Sequence, residues 1–214
     1  MAARKPAGSE RVSHADQKQR TRTALVGACR ELIRSGGDVT MPAVAKAAGI
    51  SEATAYRHFP DLVSLINDAL AGLWPTPAEA LAPVAASADP VTRVSFACAF
   101  LLRGVIKYQG SVRAAIAATS TRPEIARARP GIRFGLIDQA LDPVITATGP
   151  RAASRIAQLK LDLAAVVSSE AFFSLTDLCG VSADDAIASL VRTARTITEA
   201  TLRDIGRLSD SESA

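Results

Sequence analysis

Residues 40–59 read TMPAVAKAAGISEATAYRHF. Two short helices joined by a tight turn are written into this stretch. Thr40 is suited to cap the first, and Pro42 falls in its first turn, where a missing N–H costs nothing. Gly49 supplies the positive φ that stops this helix, and Ser51 caps the next one. Ala45 has to be small because the second helix crosses closely over the first, while Ile50 and Phe59 plug the core beneath. Such a pair is a helix-turn-helix. The outward face of its second helix carries Ser51, Glu52, Ala53, Thr54, Tyr56, Arg57 and His58. Short side chains lead, so the N-terminus fits a major groove, and the hydroxyl and basic groups behind them suit phosphates.

Helical periodicity extends on both sides. Upstream, Leu25, Val26, Cys29, Leu32 and Ile33 make one apolar stripe that stops at Gly36-Gly37. Downstream, Leu62, Leu65, Ile66, Ala69, Leu70 and Leu73 make another. Residues 75–90, with Pro75, Pro77, Pro83 and Pro90, read as a linker. A helix over Val91–Tyr108 is apolar nearly all round, which predicts burial. Shorter helices follow over 111–119 and 132–147, separated by an interruption at Arg122–Gly131. Two long helices close the chain, one over Arg151–Cys179 and one from a capping box at Ser182–Asp185 to about Gly206. No segment shows strand alternation, so the expected fold is all-α, with about nine helices.

Composition narrows the classes. Charged residues are 21% and hydrophobic residues 48%, as in an ordinary globular chain. The best candidate for a membrane span, Val94–Leu102, is nine residues long, about half of the ~18 required. The first twenty residues lack the apolar segment of a secretory signal. Cys29, Cys98 and Cys179 form no CxxC pair, which favours a reducing cytoplasm over a disulfide framework. Six basic residues against Glu10 and Asp16 give residues 1–22 a net charge of +4, equal to that of the whole chain. A basic arm on a neutral body suits a phosphate backbone, although a solubilising tail has the same composition.

Residues 21–73 resemble the DNA-binding domain of the tetracycline-repressor (TetR) family of bacterial transcriptional regulators. The resemblance is carried by Thr40, by Ala45 with the Ala48-Gly49-Ile50-Ser51 turn, by Thr54, and above all by Tyr56-Arg57-His58-Phe59-Pro60. It implies a basic flexible arm over 1–19 and a three-helix DNA-binding domain over 20–67. A helical ligand-binding and dimerisation domain over 68–208 and a frayed tail over 209–214 complete the organisation. Thr54, Tyr56 and His58 would contact phosphates, Glu52, Ala53 and Arg57 would face base edges, and Ser51 would lead the recognition helix. Thr40 would sit at the phosphate-facing start of the preceding helix. One departure stands out: where the family commonly places a phosphate-anchoring lysine, three residues after the Phe, this chain has Leu62. Glu52 is a second departure, able to accept from a cytosine amino group but repelled by phosphate.

The same resemblance implies a double-stranded DNA operator, a small-molecule inducer, a homodimer through the last two helices, and no cofactor, metal or membrane. For the dimer the expected residues are Leu159, Leu163, Val166 and Phe173, with Ile187, Leu190, Val191, Ala194, Ile197 and Thr201. A second apolar face, Leu161, Ala165, Phe172 and Leu175, marks the penultimate helix as packed on two sides. Two-fold symmetry would set the recognition helices ~34–36 Å apart on a pseudo-palindrome. For the inducer pocket the candidates are Phe96, Phe100 and Arg103 on one helical face, Phe134 and Asp138 on another, Trp74 at the hinge, and Phe172. The alternative is that these aromatics are core and that Arg103–Asp138 is a structural ion pair.

An enzyme is the first rival. His14 and His58 are the chain's two histidines, and no Walker-type loop, GxGxxG or GxSxG occurs. A nucleoid-type binder would not need so long a helical body. A helical small-molecule-binding protein with weakened DNA binding is the third, suggested by Leu62 and Glu52. The expected function is a ligand-responsive regulator, a repressor released from its operator by an inducer.

Overall fold

The computed structural model describes residues 14–120, 122–129, 131–148 and 152–211. The basic residues before His14 lie outside them. The described residues are all-α. The reader consists of α1 (His14–Ser35), α2 (Met41–Ala47), α3 (Glu52–His58) and α4 (Leu62–Leu70). The body consists of α5 (Pro77–Ala80), α6 (Pro90–Lys107), α7 (Gln109–Ser120), α8 (Ile132–Thr148), α9 (Ala153–Val166), α10 (Ser169–Phe173) and α11 (Ala183–Ser211). Short 3-10 turns cover Ala82–Val84 and Pro123–Ala128. Helix α1 starts at His14, so the last part of the expected arm is helical.

Each short reader helix is started by a side chain. Thr40 accepts from the Ala43 N–H, Ser51 from the Thr54 N–H, and Asp61 from the Ser64 N–H at 2.7 Å. Gly49 takes φ 68° and ends α2. Phe59, Leu25, Val44, Ala45 and Ala55 then close over α4's Leu65 and Ile66 as one buried cluster. Ala115 of α7 belongs to that same cluster, so the body supplies part of the reader's core.

In the body, α6 lies between α8 and α11, and α9 closes the other side of α8. Leu102, Leu136, Leu141, Leu159, Leu163 and Phe172 are its largest inward groups. The aliphatic burial is typical of a core in which each Leu→Ala change costs about 2–5 kcal/mol. Trp74, in the turn after α4, packs against both this cluster and the reader's. Arg93 is buried and donates to the carbonyls of Val84 and Ala85 at 3.2 and 3.3 Å, tying the 3-10 turn to α6.

Three expectations are corrected. The proline-rich stretch 75–90 is not a plain linker: Thr76 and Glu79 form a full capping box that opens α5. Pro77, Pro83 and Pro90 sit in first turns, where they favour a helix start. The long helix over 151–179 is interrupted. Val167 leaves helical geometry, Ser168 caps α10 by accepting from the Ala171 N–H at 3.1 Å, and a π-helical turn, Ser174–Leu178, follows. This break resets the helical phase, so Phe172 and Phe173 are both buried.

The third correction concerns six of the ten expected dimer residues. Leu159, Leu163, Phe173, Ile187, Leu190 and Ala194 lie in the protomer's own core, while Val191 and Ile197 are partly buried against it. Val166 and Thr201 are half-buried. The outward face of α9 is instead Leu161, 67% exposed, with Ala165.

Candidate DNA-reading surface and ligand cavity

Helix α3 is held at both ends. At its start Ser51 caps it, and at its end Phe59 is buried and bonded through its N–H to the Ala55 carbonyl at 2.9 Å. Arg22 of α1 fixes the position of that end. Its guanidinium stacks 4.1 Å over the Phe59 ring, donates to the His58 carbonyl at 3.1 Å, and pairs with Asp68 of α4. One side chain thus ties α1, α3 and α4 together. Arg22 counts as a basic arm residue by charge alone; its stacking on Phe59 carries no short-range sequence signal.

The outward residues sit together. Ser51, Glu52, Ala53, Tyr56 and Arg57 are exposed, and Thr54 and His58 are half-buried. Tyr56 is 47% exposed and therefore free to reach outward instead of packing on α1. Thr54 accepts from the Ser51 hydroxyl at 2.9 Å and from Arg57 at 3.0 Å, so Arg57 is laid back along the helix. Burial, with the charges of Lys18, Arg57 and Arg22, holds the His58 imidazole below its ordinary pKa. Thr40 is exposed at the start of α2. Leu62 is half-buried against the reader core beside Val39 and Thr40.

A cavity of about 380 Å3 opens where reader and body meet. Ile66 and Leu70 of α4, Trp74, and Leu101 and Val105 of α6 form its apolar side. Arg129 of the α7–α8 connection and Arg133 and Phe134 of the first turn of α8 also line it. Of the expected pocket residues, Trp74 and Phe134 line this cavity. Phe100 stands behind Trp74, with ring centroids 6.2 Å apart, and Phe96 is half-buried against the body core. Phe172 is core, edge-on to Phe173. Arg103 is exposed at the solvent edge of α6, and Asp138 pairs with Lys160 of α9 at 2.7 Å. The expected Arg103–Asp138 ion pair is therefore not formed.

The Trp74 ring lies in a groove made by Phe100 and Gly104 of α6 and by Tyr108, which caps the end of that helix. A Cβ at Gly104 would stand 2.0 Å from the ring, so the groove requires glycine. Across the cavity, Arg129 pairs with Glu170, and Arg133 reaches the other oxygen of the same carboxylate at 3.5 Å. Burial raises the Glu170 carboxyl, but the Arg129 hydrogen bond and charge, with the Ser169 hydroxyl, outweigh it and hold the group below the usual range. Burial also pushes the Cys29 and Cys98 thiols up to about 12, which leaves them unreactive at neutral pH. Among the described residues no group of three or more His, Cys, Asp or Glu could hold a metal. No helix among them is long and apolar enough to cross a membrane.

The family model of bacterial regulatory proteins, tetR family, matches residues 24–68, the reader just described. This segment is a TetR-type DNA-binding domain. Beyond the reader the likeness is one of fold. A crystal structure of a TetR transcriptional regulator from Rhodococcus sp. RHA1 superposes with a TM-score of 0.52 at 22% identity, covering 84% of this chain and 97% of that one. Comparison with curated protein sequences returns no match. Arg22, Arg129, Arg133 and Glu170 are the residues that the sequence does not mark, because each acquires its role from a partner on another element.

Proposed function

We propose that this protein is a ligand-responsive repressor of the TetR family, released from a pseudo-palindromic operator by a small molecule bound in the cavity. One observation carries the reading: the cavity wall includes Ile66 and Leu70 of α4, the helix to which Arg22 ties the recognition helix. A ligand that fits only one position of α4 shifts the population between two placements of α3. Its effect is limited by its differential affinity for those placements, typically about 1–3 kcal/mol.

Two copies joined through the outward face of α9, at Leu161 and Ala165, would present two recognition helices to successive major grooves. Leu161→Glu is then expected to give monomers in sedimentation. On the DNA, Ser51, Thr54, Tyr56, His58 and Thr40 serve phosphates, and Glu52, Ala53 and Arg57 face bases. Binding to the DNA upstream of its own gene, titrated across salt against a random duplex, tests the reading. Tight, salt-dependent binding to one palindromic segment is expected. Affinity no better than for random DNA would favour a small-molecule-binding protein whose reader is weakened at Leu62 and Glu52.

A further inference from the structure

The lining of the cavity is charged in a way that its apolar walls do not require. Arg129 and Arg133 both face it, and its lining contains no Asp or Glu. Both guanidinium groups converge on one carboxylate, Glu170. Each guanidinium carries five donors, more than one carboxylate can satisfy for two of them. Next to Arg133, the ring of Phe134 lies 5.0 Å beneath its guanidinium and is 51% exposed, leaving an aromatic surface at the cavity edge. The rest of the lining, Trp74, Leu101 and Val105 included, carries no charge. Two guanidinium groups against the one Glu170 carboxylate thus leave a surplus of one positive charge beside apolar walls.

We propose that the cavity takes an amphipathic monoanion, an apolar body lying along Trp74 and α6 with a carboxylate or equivalent group between Arg129 and Arg133. This rests on the ligand-responsive reading and gives that ligand a chemical class. A carboxylate matches the planar fork of a guanidinium with two parallel hydrogen bonds, which a neutral hydroxyl cannot reproduce. A volume of about 380 Å3 lies at the small end of ordinary ligand pockets. A medium-chain or aromatic monocarboxylate suits that size. Glu170 bridges the two arginines, and the anion competes with it for their donors.

Trp74 is the chain's one tryptophan and lines the cavity, so its fluorescence reports occupancy without any DNA. The test titrates the full chain with decanoate, a probe of the right size, and with 1-decanol as its neutral counterpart. Decanoate is expected to bind about tenfold more tightly, the worth of a charge-assisted hydrogen bond. Arg133→Gln and Arg129→Gln should each bring the two probes within about threefold. Glu170→Gln, which frees both arginines, should widen the preference and guards against reading a misfolded arginine variant as support. Equal or tighter binding of decanol, a preference untouched by both arginine variants, or no response to millimolar decanoate would overturn the proposal. Operator release is scored separately. Decanoate binding without release leaves the ligand class standing and removes the regulatory reading, whereas release by decanol alone does the reverse.

Discussion

Arg93 donates to the carbonyl of Gln139 at 2.7 Å, and that carbonyl is the one left without a helical donor by Pro143 four residues later. The same guanidinium reaches the Ala140 carbonyl at 3.2 Å. A proline inside α8 is therefore tolerated because α6 supplies the missing hydrogen. Removing Arg93 leaves the Gln139 carbonyl without a donor, at about 1–3 kcal/mol, and empties the space its buried side chain fills. Arg93→Met is expected to lower unfolding stability by about 2–4 kcal/mol in denaturant titration. Pro143→Ala restores an N–H for Gln139 and should recover about 1 kcal/mol in the Arg93→Met background. Additive effects of the two changes would show that the residues act independently.

Gly104 has no room for a methyl group, since its Cβ would lie 2.4 Å from Cζ3 of Trp74 as well as 2.0 Å from Cη2. Gly104→Ala is expected to displace the indole from its groove between Phe100 and Tyr108. The emission of Trp74 should shift, stability should fall by about 1–3 kcal/mol, and ligand response should be lost. A spectrum identical to that of the unaltered protein would show that the ring is not seated there.

His58 is held below its ordinary value of 6.5 by burial and by Lys18, Arg57 and Arg22. For a histidine so shifted, the unfolded chain takes up its proton first as pH falls. This contribution to stability is intact above pH 6.5 and declines as pH drops through 6.5 toward the folded value. A phosphate beside the ring acts in the opposite direction, so operator binding should raise the His58 pKa and be accompanied by proton uptake. Imidazole resonances with and without operator measure both effects, and no change on binding would place His58 away from the backbone.

Leu62 occupies the first turn of α4, beside Thr40 at the start of α2. Leu62→Lys adds a cation at that point. The expected result is operator binding several-fold tighter at low salt, with a log–log salt slope steeper by about 0.9. Arg57→Ala, by contrast, should cost about 1–3 kcal/mol and relax base preference with little change of slope. An unchanged slope for Leu62→Lys would mean that no phosphate lies within reach of that site.

The reader was legible because its determinants are local. Thr40, Gly49, Ser51 and Phe59 fix caps, turn and plug within twenty residues, and the structure gives each the geometry its chemistry calls for. The body was legible only as helices. The phase break at Ser168 has a faint signal, a serine cap with Glu170 in the following turn, that the apolar run on either side conceals. Partner choice was not readable at all. Asp138 meets Lys160 and not Arg103 because its side of α8 reaches α9 while Arg103 lies on the exposed side of α6, and no periodicity within one helix records which neighbour it faces.

Ala115 sits in the reader's buried cluster although it belongs to α7, deep in the body's sequence. The two halves are consequently not interchangeable cartridges. Transplanting residues 14–73 onto a foreign body would leave an unfilled socket beneath α4, and a foreign reader on this body would meet a knob it was not shaped for. Exchange of DNA specificity between relatives must therefore proceed either by altering α3's outward residues alone or by carrying α4 and α7 together as a matched pair.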